Sequence, residues 1–407
     1  MKIIKSMLLA VAAWGGLFTV ADPAFSQNWT QTGAPSTNWY SVASSADGTK
    51  LVAEVVSGGI YTSTNSGATW TLTSAPSESW QGVASSADGV KLVATVNGGG
   101  IYTSTNSGIT WTQQTNAPNM GWNGVASSTD GSKLAAITFP GGIYTSTNSG
   151  AVWTQTSASN QEWYAVASSA DGTKLVAAGG NINPPQNYNR EVYLSTNSGG
   201  TWTQTSLPGT EWLSVASSAD GTKLIAGDIS GGPPGFGIYT STNSGVTWIS
   251  NSVSSFRFNL NWSSVAMSAD GTKLVAVNWA DGNIASVSSI YTSTNSGATW
   301  QTNNAPNKAW QSVVSSADGG KLVAAVEGGG LWISQTTPAP HMNITPTNGN
   351  LMLSWMVPST NFVMQESPDL GSWADMTNPP VLNLTNLQDE VILPPTNSSG
   401  FYRLKTP

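Results

Sequence analysis

One motif decides what this chain can become. A segment of the form Trp-x-x-Val-(Ala/Val)-x-Ser-x-Asp-Gly-x-Lys-Leu occurs seven times, with its tryptophan at Trp39, Trp80, Trp122, Trp163, Trp212, Trp262 and Trp310. The copies are about 41 to 50 residues apart, a period that matches propeller blades rather than helical solenoids. Between copies lies a second element, Ile-Tyr-Thr-Ser-Thr-Asn-Ser-Gly-x-Thr-Trp with small variations, which occurs six times and ends at Trp70, Trp111, Trp153, Trp202, Trp248 and Trp300. Only 9% of the residues are charged, and Gly, Ser, Thr and Asn fill the gaps between short apolar runs. That composition favours strands and turns.

Each unit therefore predicts four short strands, in the first copy Trp39 to Ser45, Lys50 to Val56, Ile60 to Thr64 and Thr69 to Thr73. Asp47-Gly48 predicts a tight hairpin, because Asp tolerates the left-handed region and Gly enters it without a Cβ clash. Asn65-Ser66-Gly67 predicts a second hairpin by the same logic. A lone four-stranded sheet cannot bury both faces, so the units must stack radially and close into a ring. The seventh unit stops at Gly330-Leu331-Trp332-Ile333-Ser334 without a fourth strand, and Asn28-Trp29-Thr30-Gln31-Thr32 reads like Thr201-Trp202-Thr203-Gln204-Thr205. The expectation is an all-β, seven-bladed β-propeller over residues 27–336, with an N-terminal strand closing blade seven and hiding two sheet edges.

The ends of the chain read differently. Residues 1–26 carry a Lys-flanked start, an apolar run from Met7 to Ala21 and Ala24-Phe25-Ser26 before Gln27. This is the pattern of a signal peptide, so the chain is expected to be secreted or periplasmic, with no membrane span in the mature chain. Residues 337–345 form a Pro-rich linker holding the single histidine, His341. Residues 346–407 alternate as strands, for instance Leu351 to Trp355 and Phe362 to Gln365, and predict a small C-terminal β-sandwich-like module. Its Gln365-Glu366-Ser367, Trp373 and Phe401-Tyr402-Arg403-Leu404 resemble a module found at the end of secreted proteins of environmental bacteria.

The second element resembles the Asp-box, Ser-x-Asp-x-Gly-x-x-Trp, of the BNR-like propellers. These include sialidases, some glycoside hydrolases, sortilin-type receptors and photosystem II assembly factors of the Ycf48 kind. Here it stands as Ser63-Thr64-Asn65-Ser66-Gly67-Ala68-Thr69-Trp70, and all six copies carry Asn in place of Asp, at Asn65, Asn106, Asn148, Asn197, Asn243 and Asn295. The resemblance implies a propeller in which the box is a fold element on the face away from the ligand site, with little bearing on activity. It also implies that a sialidase would need an arginine cluster, a Tyr nucleophile and a carboxylate base, and the propeller holds only Arg190 and Arg257.

With no cysteine, neither a disulfide framework nor a thiolate metal site is available, and a single histidine leaves a His-dependent triad or multi-His metal site without partners. No cofactor, metal or catalytic residue is assigned. The net charge of −7 argues against nucleic acid, which needs clustered Lys and Arg.

The Asp-Gly and Asn-Ser-Gly hairpins share one face, nearly invariant between copies, where seven Asp are matched by seven Lys in turn and salt-bridge roles. The opposite face varies, with the longest insertions at Gly179 to Glu191, Ser230 to Gly237, Ser252 to Asn261 and Asn278 to Ser289. Variable loops on a fixed scaffold are where such folds carry function. Eight carboxylates map there, Glu54, Glu78, Glu162, Glu191, Glu211, Asp228, Asp281 and Glu327, against Arg190, Arg257 and Lys308, which predicts an acidic face. The seven tryptophans are read as blade-to-blade packing. Asn187, Tyr188, Arg190, Phe236, Arg257, Phe258, Trp279 and Asp281 are the ligand-binding candidates, because no repeat-wide packing demand explains them.

The expected function is a non-catalytic, monomeric binding or scaffolding propeller that engages a polysaccharide, peptide or partner protein through the acidic loop face. The alternative is an Asp-box-type glycoside hydrolase using paired carboxylates among Glu191, Asp228 and Asp281.

Overall fold

The seven tryptophan segments become the innermost strands of seven four-stranded antiparallel sheets. In the first, β2 (Trp39–Ser44), β3 (Leu51–Gly58), β4 (Ile60–Ser63) and β5 (Thr71–Leu72) pair in sequence order. The same order recurs in β6–β9 (78–113), β10–β13 (120–155), β14–β17 (162–204), β18–β21 (212–251) and β22–β25 (261–302). The computed structural model describes residues 28–183, 187–229, 237–251, 261–279, 288–335, 342–347, 350–356, 363–367, 372–376, 380–383, 388–393 and 401–405. The expected signal peptide and most of the linker lie outside them.

Blade seven contains β26–β28 (310–335) and takes β1 (Trp29–Gln31) as its outer strand, in the register Trp29↔Ser334, Thr30↔Ile333 and Gln31↔Trp332. Trp29 is buried there, its ring centroid 6.0 Å from that of Trp310. The first and last segments thus share one sheet, as the sequence predicts.

Each second strand is covered on both faces, so it reads as an almost unbroken apolar run rather than an alternating one. Leu51, Ala53 and Val55 pack toward Val323, Ala325 and Leu331 of blade seven. Val52, on the other face, packs toward Trp80 and Val83 of blade two. The seven first-strand tryptophans are 0–1% exposed. Trp39 meets Tyr61 edge-on at 5.2 Å, and its indole N–H donates to the Pro35 carbonyl. The packing reading of these tryptophans holds.

The inner strands contact one another in cyclic order, including β26 with β2. A ring of main-chain hydrogen bonds runs through the turns that follow them. The N–H of Ala46 donates to Ala87, Ala87 to Thr129, Thr129 to Ala170, Ala170 to Ala219, Ala219 to Ala269, Ala269 to Ala317 and Ala317 back to Ala46, all at 2.7–2.8 Å.

Both turn families differ in detail from the sequence reading. In the first, only Gly48 is left-handed, at φ 67°. Asp47 acts through its carboxylate instead, accepting from the Ser45 hydroxyl, the Thr49 amide and the Thr49 hydroxyl. In the second, Ser66 and Gly67 take positive φ, and Asn65 does not. Asn65 caps the turn: its Oδ1 accepts from the Ser63 hydroxyl and the Thr69 amide, while its amide group donates to the Thr69 hydroxyl. Holding Thr69 in the turn shortens the fourth strand to Thr71–Leu72.

The expected Asp–Lys pairing is also redirected. Lys50 donates to the main-chain carbonyl of Asp88 in the next blade at 2.8 Å, and its stem covers Gly89, where a Cβ would lie 2.7 Å from it. Lys91, Lys174, Lys223 and Lys273 repeat the bond to Asp130, Asp220, Asp270 and Asp318. The lysine is therefore a stitch between blades, because the carboxylate is already taken up by its own turn.

The C-terminal strands β29–β35 (342–405) form a four-stranded sheet and a three-stranded sheet. Leu353, Trp355, Val391 and Leu393 of the first share a core with Met364 of the second. This is a sandwich-like arrangement as read from the sequence, but its first strand begins at Met342, so residues 342–345, expected as linker, belong to the module, where Met342 and Ile344 pack on its core.

Candidate functional site

Antiparallel order puts the turns between first and second strands, and between third and fourth, at one face of the ring. The turns between second and third strands and the connections to the next blade lie at the other. At that second face every inner strand carries a β-bulge one residue after its tryptophan. In blade one Trp39 faces Val55 and Ser41 faces Glu54, so Tyr40 is the extra residue. The equivalents are Gln81, Asn123, Tyr164, Leu213, Ser263 and Gln311. A bulge re-aims a side chain, and all seven bulged residues are half-buried beside a fully buried tryptophan. Asn123 reaches the Trp163 carbonyl and Ser263 the Trp310 carbonyl, each in the next blade. These residues make an inner rim that differs in chemistry from blade to blade.

Among the described residues the rim is most elaborated at blade four. The segment Gly179 to Glu191, expected as a loop insertion, is largely strand: β15 (Leu175–Asn183) and β16 (Asn187–Ser195) pair from Leu175↔Ser195 to Asn183↔Asn187. Arg190 lies on this arm, opposite Gly180, and its main chain exchanges hydrogen bonds with Thr210 at the entry to blade five. Its guanidinium carbon sits 3.6 Å from the centroid of Tyr164, at stacking distance. Phe139 of blade three meets the same ring edge-on at 5.2 Å and is 37% exposed.

Tyr164 donates to Glu162 at 2.8 Å, and Tyr193 donates to Glu191 at 2.8 Å. Burial first, and then the bond to the Glu162 carboxylate, push the Tyr164 hydroxyl up to about 12. Burial and the bond to Glu191 do the same for Tyr193, also to about 12. Both phenols stay neutral donors. The result is an aromatic shelf backed by a stacked cation and edged by the Glu162 carboxylate, suited to apolar and stacking contact with flanking hydrogen bonds.

Of the sequence candidates, Arg190 stands at the centre of this cluster. Asn187 and Tyr188 lie on the same arm, paired through their backbones with Asn183 and Ile182. Trp279 ends β23 (Leu274–Trp279) in blade six, opposite Asn261, and is 42% exposed. It does not join the blade-four cluster. Phe236, Arg257, Phe258 and Asp281 lie outside the described residues.

Tyr164 and Phe139 were not among the sequence candidates. The signal that finds Tyr164 is the contrast between the invariant valine three residues after each tryptophan and the variable residue immediately after it; Phe139, just past the second strand of blade three, carries no such signal.

The acidic face needs a correction. Glu54 is 0% exposed and Asp228 1% exposed, so both are interior groups rather than surface charges. The second strand, packed on both faces, draws them in. Glu78, Glu162, Glu191 and Glu211 remain half-buried and Glu327 exposed, so the described surface is less acidic than the sequence predicts. Among the described residues no group of three or more His, Cys, Asp or Glu could hold a metal ion, and no helix is long and apolar enough to cross a membrane.

No family model matches the sequence, and no curated protein matches it. Solved structures do share the fold. YCF48 bound to D1 peptide superposes with a TM-score of 0.56 at 13% identity, over 78% of this chain and 99% of that one. YCF48 from Cyanidioschyzon merolae gives 0.58 at 15% identity, over 75% and 98%. The β-propeller domain of Cps50 (Swd1) from Myceliophteria thermophila gives 0.59 at 13% identity, over 76% and 100%. The chain is a β-propeller. At these identities the likeness concerns fold alone.

Proposed function

We propose that this chain is a secreted or periplasmic, non-catalytic binding propeller that holds a peptide segment of a partner protein at the inner rim of blades three to five. The observation that carries this reading is the shelf formed by Phe139, Tyr164 and Arg190 on the face where the repeats diverge. Aromatic side chains offer large contact area at low entropic cost, and a stacked guanidinium holds the ring in place. The half-buried Glu162, bonded to Tyr164, favours a segment with neutral or basic side chains. One structural neighbour of the same fold was solved with a peptide bound, which supports a protein ligand over a glycan. The hydrolase alternative is weakened because Asp228 is buried and Glu191 is engaged by Tyr193.

The purified mature chain on peptide and glycan arrays tests the reading. Peptide spots should bind, and Tyr164→Ala or Phe139→Ala should weaken them by roughly tenfold or more, about 1.4 kcal/mol. Lys50→Ala, on the opposite face, should leave them unchanged. Binding confined to glycans would replace the peptide reading.

A further inference from the structure

Glu54 has no exposed surface, and neither of its carboxylate oxygens has a hydrogen-bond partner. Its register position, opposite the second residue after the bulge-bearing tryptophan, is held by Thr95, Ile137, Ala178, Gly227, Val277 and Ala325 in the other blades. None of those can ionise. The carboxyl is therefore a feature of blade one and not of the repeat.

Its surroundings are the seam between blades one and two. Side chains alternate along a strand, so Glu54 shares the face of Val52, which packs with Ile60, Trp80, Val83 and Leu92. Its lateral neighbours are Ser41 and Ile60, and the Ser41 hydroxyl accepts from the Val83 amide of blade two. The titratable groups on the elements packed around it are Tyr40 on β2, Tyr61 on β4 and Glu78 on β6 (Glu78–Ser85). Tyr61 lies against Trp39 on the other face of the blade, and Glu78 stands opposite Gly58 at the strand end. Tyr40 feels both Glu54 and Glu327. Lys50, at the other end of the second strand, is committed to the Asp88 carbonyl on the opposite face.

We propose that Glu54 is a proton-dependent latch on the seam between blades one and two, closed while the carboxyl carries its proton and loosened locally when it ionises. Burial holds this carboxyl well above the ordinary carboxylate range. An uncompensated buried carboxylate is costly, and the cheapest relief is local opening that admits water. The opening would act on the main-chain pairs Val56↔Ser79 and Gly58↔Glu78, which join the two blades at the rim face beside Tyr40. Because the folded-state value is raised, the stabilisation is complete below the unfolded value and is lost as pH rises through the folded one.

Hydrogen exchange of the full chain read by mass spectrometry, between about pH 5 and about pH 9, tests the latch. After correction for the chemical rate, protection of β3 and β6 should fall by roughly tenfold with rising pH, while blades four to six stay constant. Glu54→Gln should abolish that fall. Glu54→Thr, which copies Thr95 and its bond to the Gly82 carbonyl, is the second variant should Gln disturb packing. Infrared spectra of the wild type, which need no variant, should show a protonated carboxyl persisting above the ordinary range. A wild type lacking that band, or a β3 and β6 response that matches blades four to six or survives in a folded variant, would overturn the proposal.

Discussion

The backbone N–H of Ala317 donates to the carbonyl of Ala46 at 2.8 Å, and this bond joins the last blade to the first. It completes a cycle in which each turn residue before an Asp-Gly pair bonds its neighbour in the next blade. The cycle gives the Asp-Gly face a main-chain frame, to which the lysine stitches add. Small side chains are needed there: Ala46 and Ala317 are buried together, with Ala87 and Ala269 packed against them. Closure at this end is main-chain, whereas closure at the outer edge depends on one borrowed strand.

That borrowed strand gives the first prediction. Removing residues 28–33 should expose the edge of β28 (Leu331–Gln335) and lower the melting temperature, with self-association visible by size-exclusion chromatography. Trp29→Ala alone should cost about 3–5 kcal/mol in urea unfolding, the range for a large buried aromatic. Unchanged melting and a monomeric profile in the deletion would refute the interlock.

The second-element turns predict a graded series. Asn148 accepts from the Ser146 hydroxyl and the Val152 amide, and Val152 stands where Thr69 offers a hydroxyl to Asn65. Asn148→Ala should therefore cost on the order of 1 kcal/mol, and Asn65→Ala somewhat more. Neither change should alter binding at the rim, which lies on the other face. Loss of binding in a well-folded Asn148→Ala protein would contradict the structural role of the turn.

Acid should act on the Asp-Gly turns. In Asp130 burial pushes the carboxyl up, but the Ser128 hydroxyl, the Ser132 amide and hydroxyl and the Lys91 charge outweigh it, bringing it from 3.8 to about 2. Asp47, Asp171, Asp220 and Asp270 are lowered by equivalent bonds. Depressed folded-state values contribute stability above the unfolded value that is lost as pH falls through the folded one. Unfolding midpoints should drop between about pH 4 and about pH 2, and Asp130→Asn should flatten part of that slope. Asp318 goes the other way: burial raises it, and Gly320 brings an amide but no hydroxyl.

At the rim, Arg190→Lys should not behave as a conservative change. A lysine ammonium lacks the planar face that lies on Tyr164. The variant should lose affinity in the peptide assay and gain solvent access at Tyr164, measurable by tyrosine nitration. Trp279→Ala, by contrast, should leave the melting temperature nearly unchanged, because that side chain is already 42% exposed.

Much of this protein was legible in the sequence because a repeat carries its own control. Seven copies of one tryptophan, one Asp-Gly and one Lys-Leu fix strand number, strand order and ring size, since short-range turn chemistry and apolar runs are local properties. The truncated seventh unit and the spare Trp29 likewise announced how the ring closes.

Beyond the tryptophan packing, contacts between blades were not legible, because they depend on side chains about 40 or more residues apart meeting at a set angle. Lys50 bonds the Asp88 carbonyl rather than a carboxylate, which only the stacking of blades decides. Glu54 reads as a surface charge interrupting the apolar run Leu51 to Val56, and the two-sided cover of β3 makes it an interior group. Tyr164 becomes a rim residue because a bulge turns it away from the buried Trp163, and Arg190 finds it by reaching along an arm that read as a loop. Local chemistry chose the elements, and their radial packing chose which side chains meet.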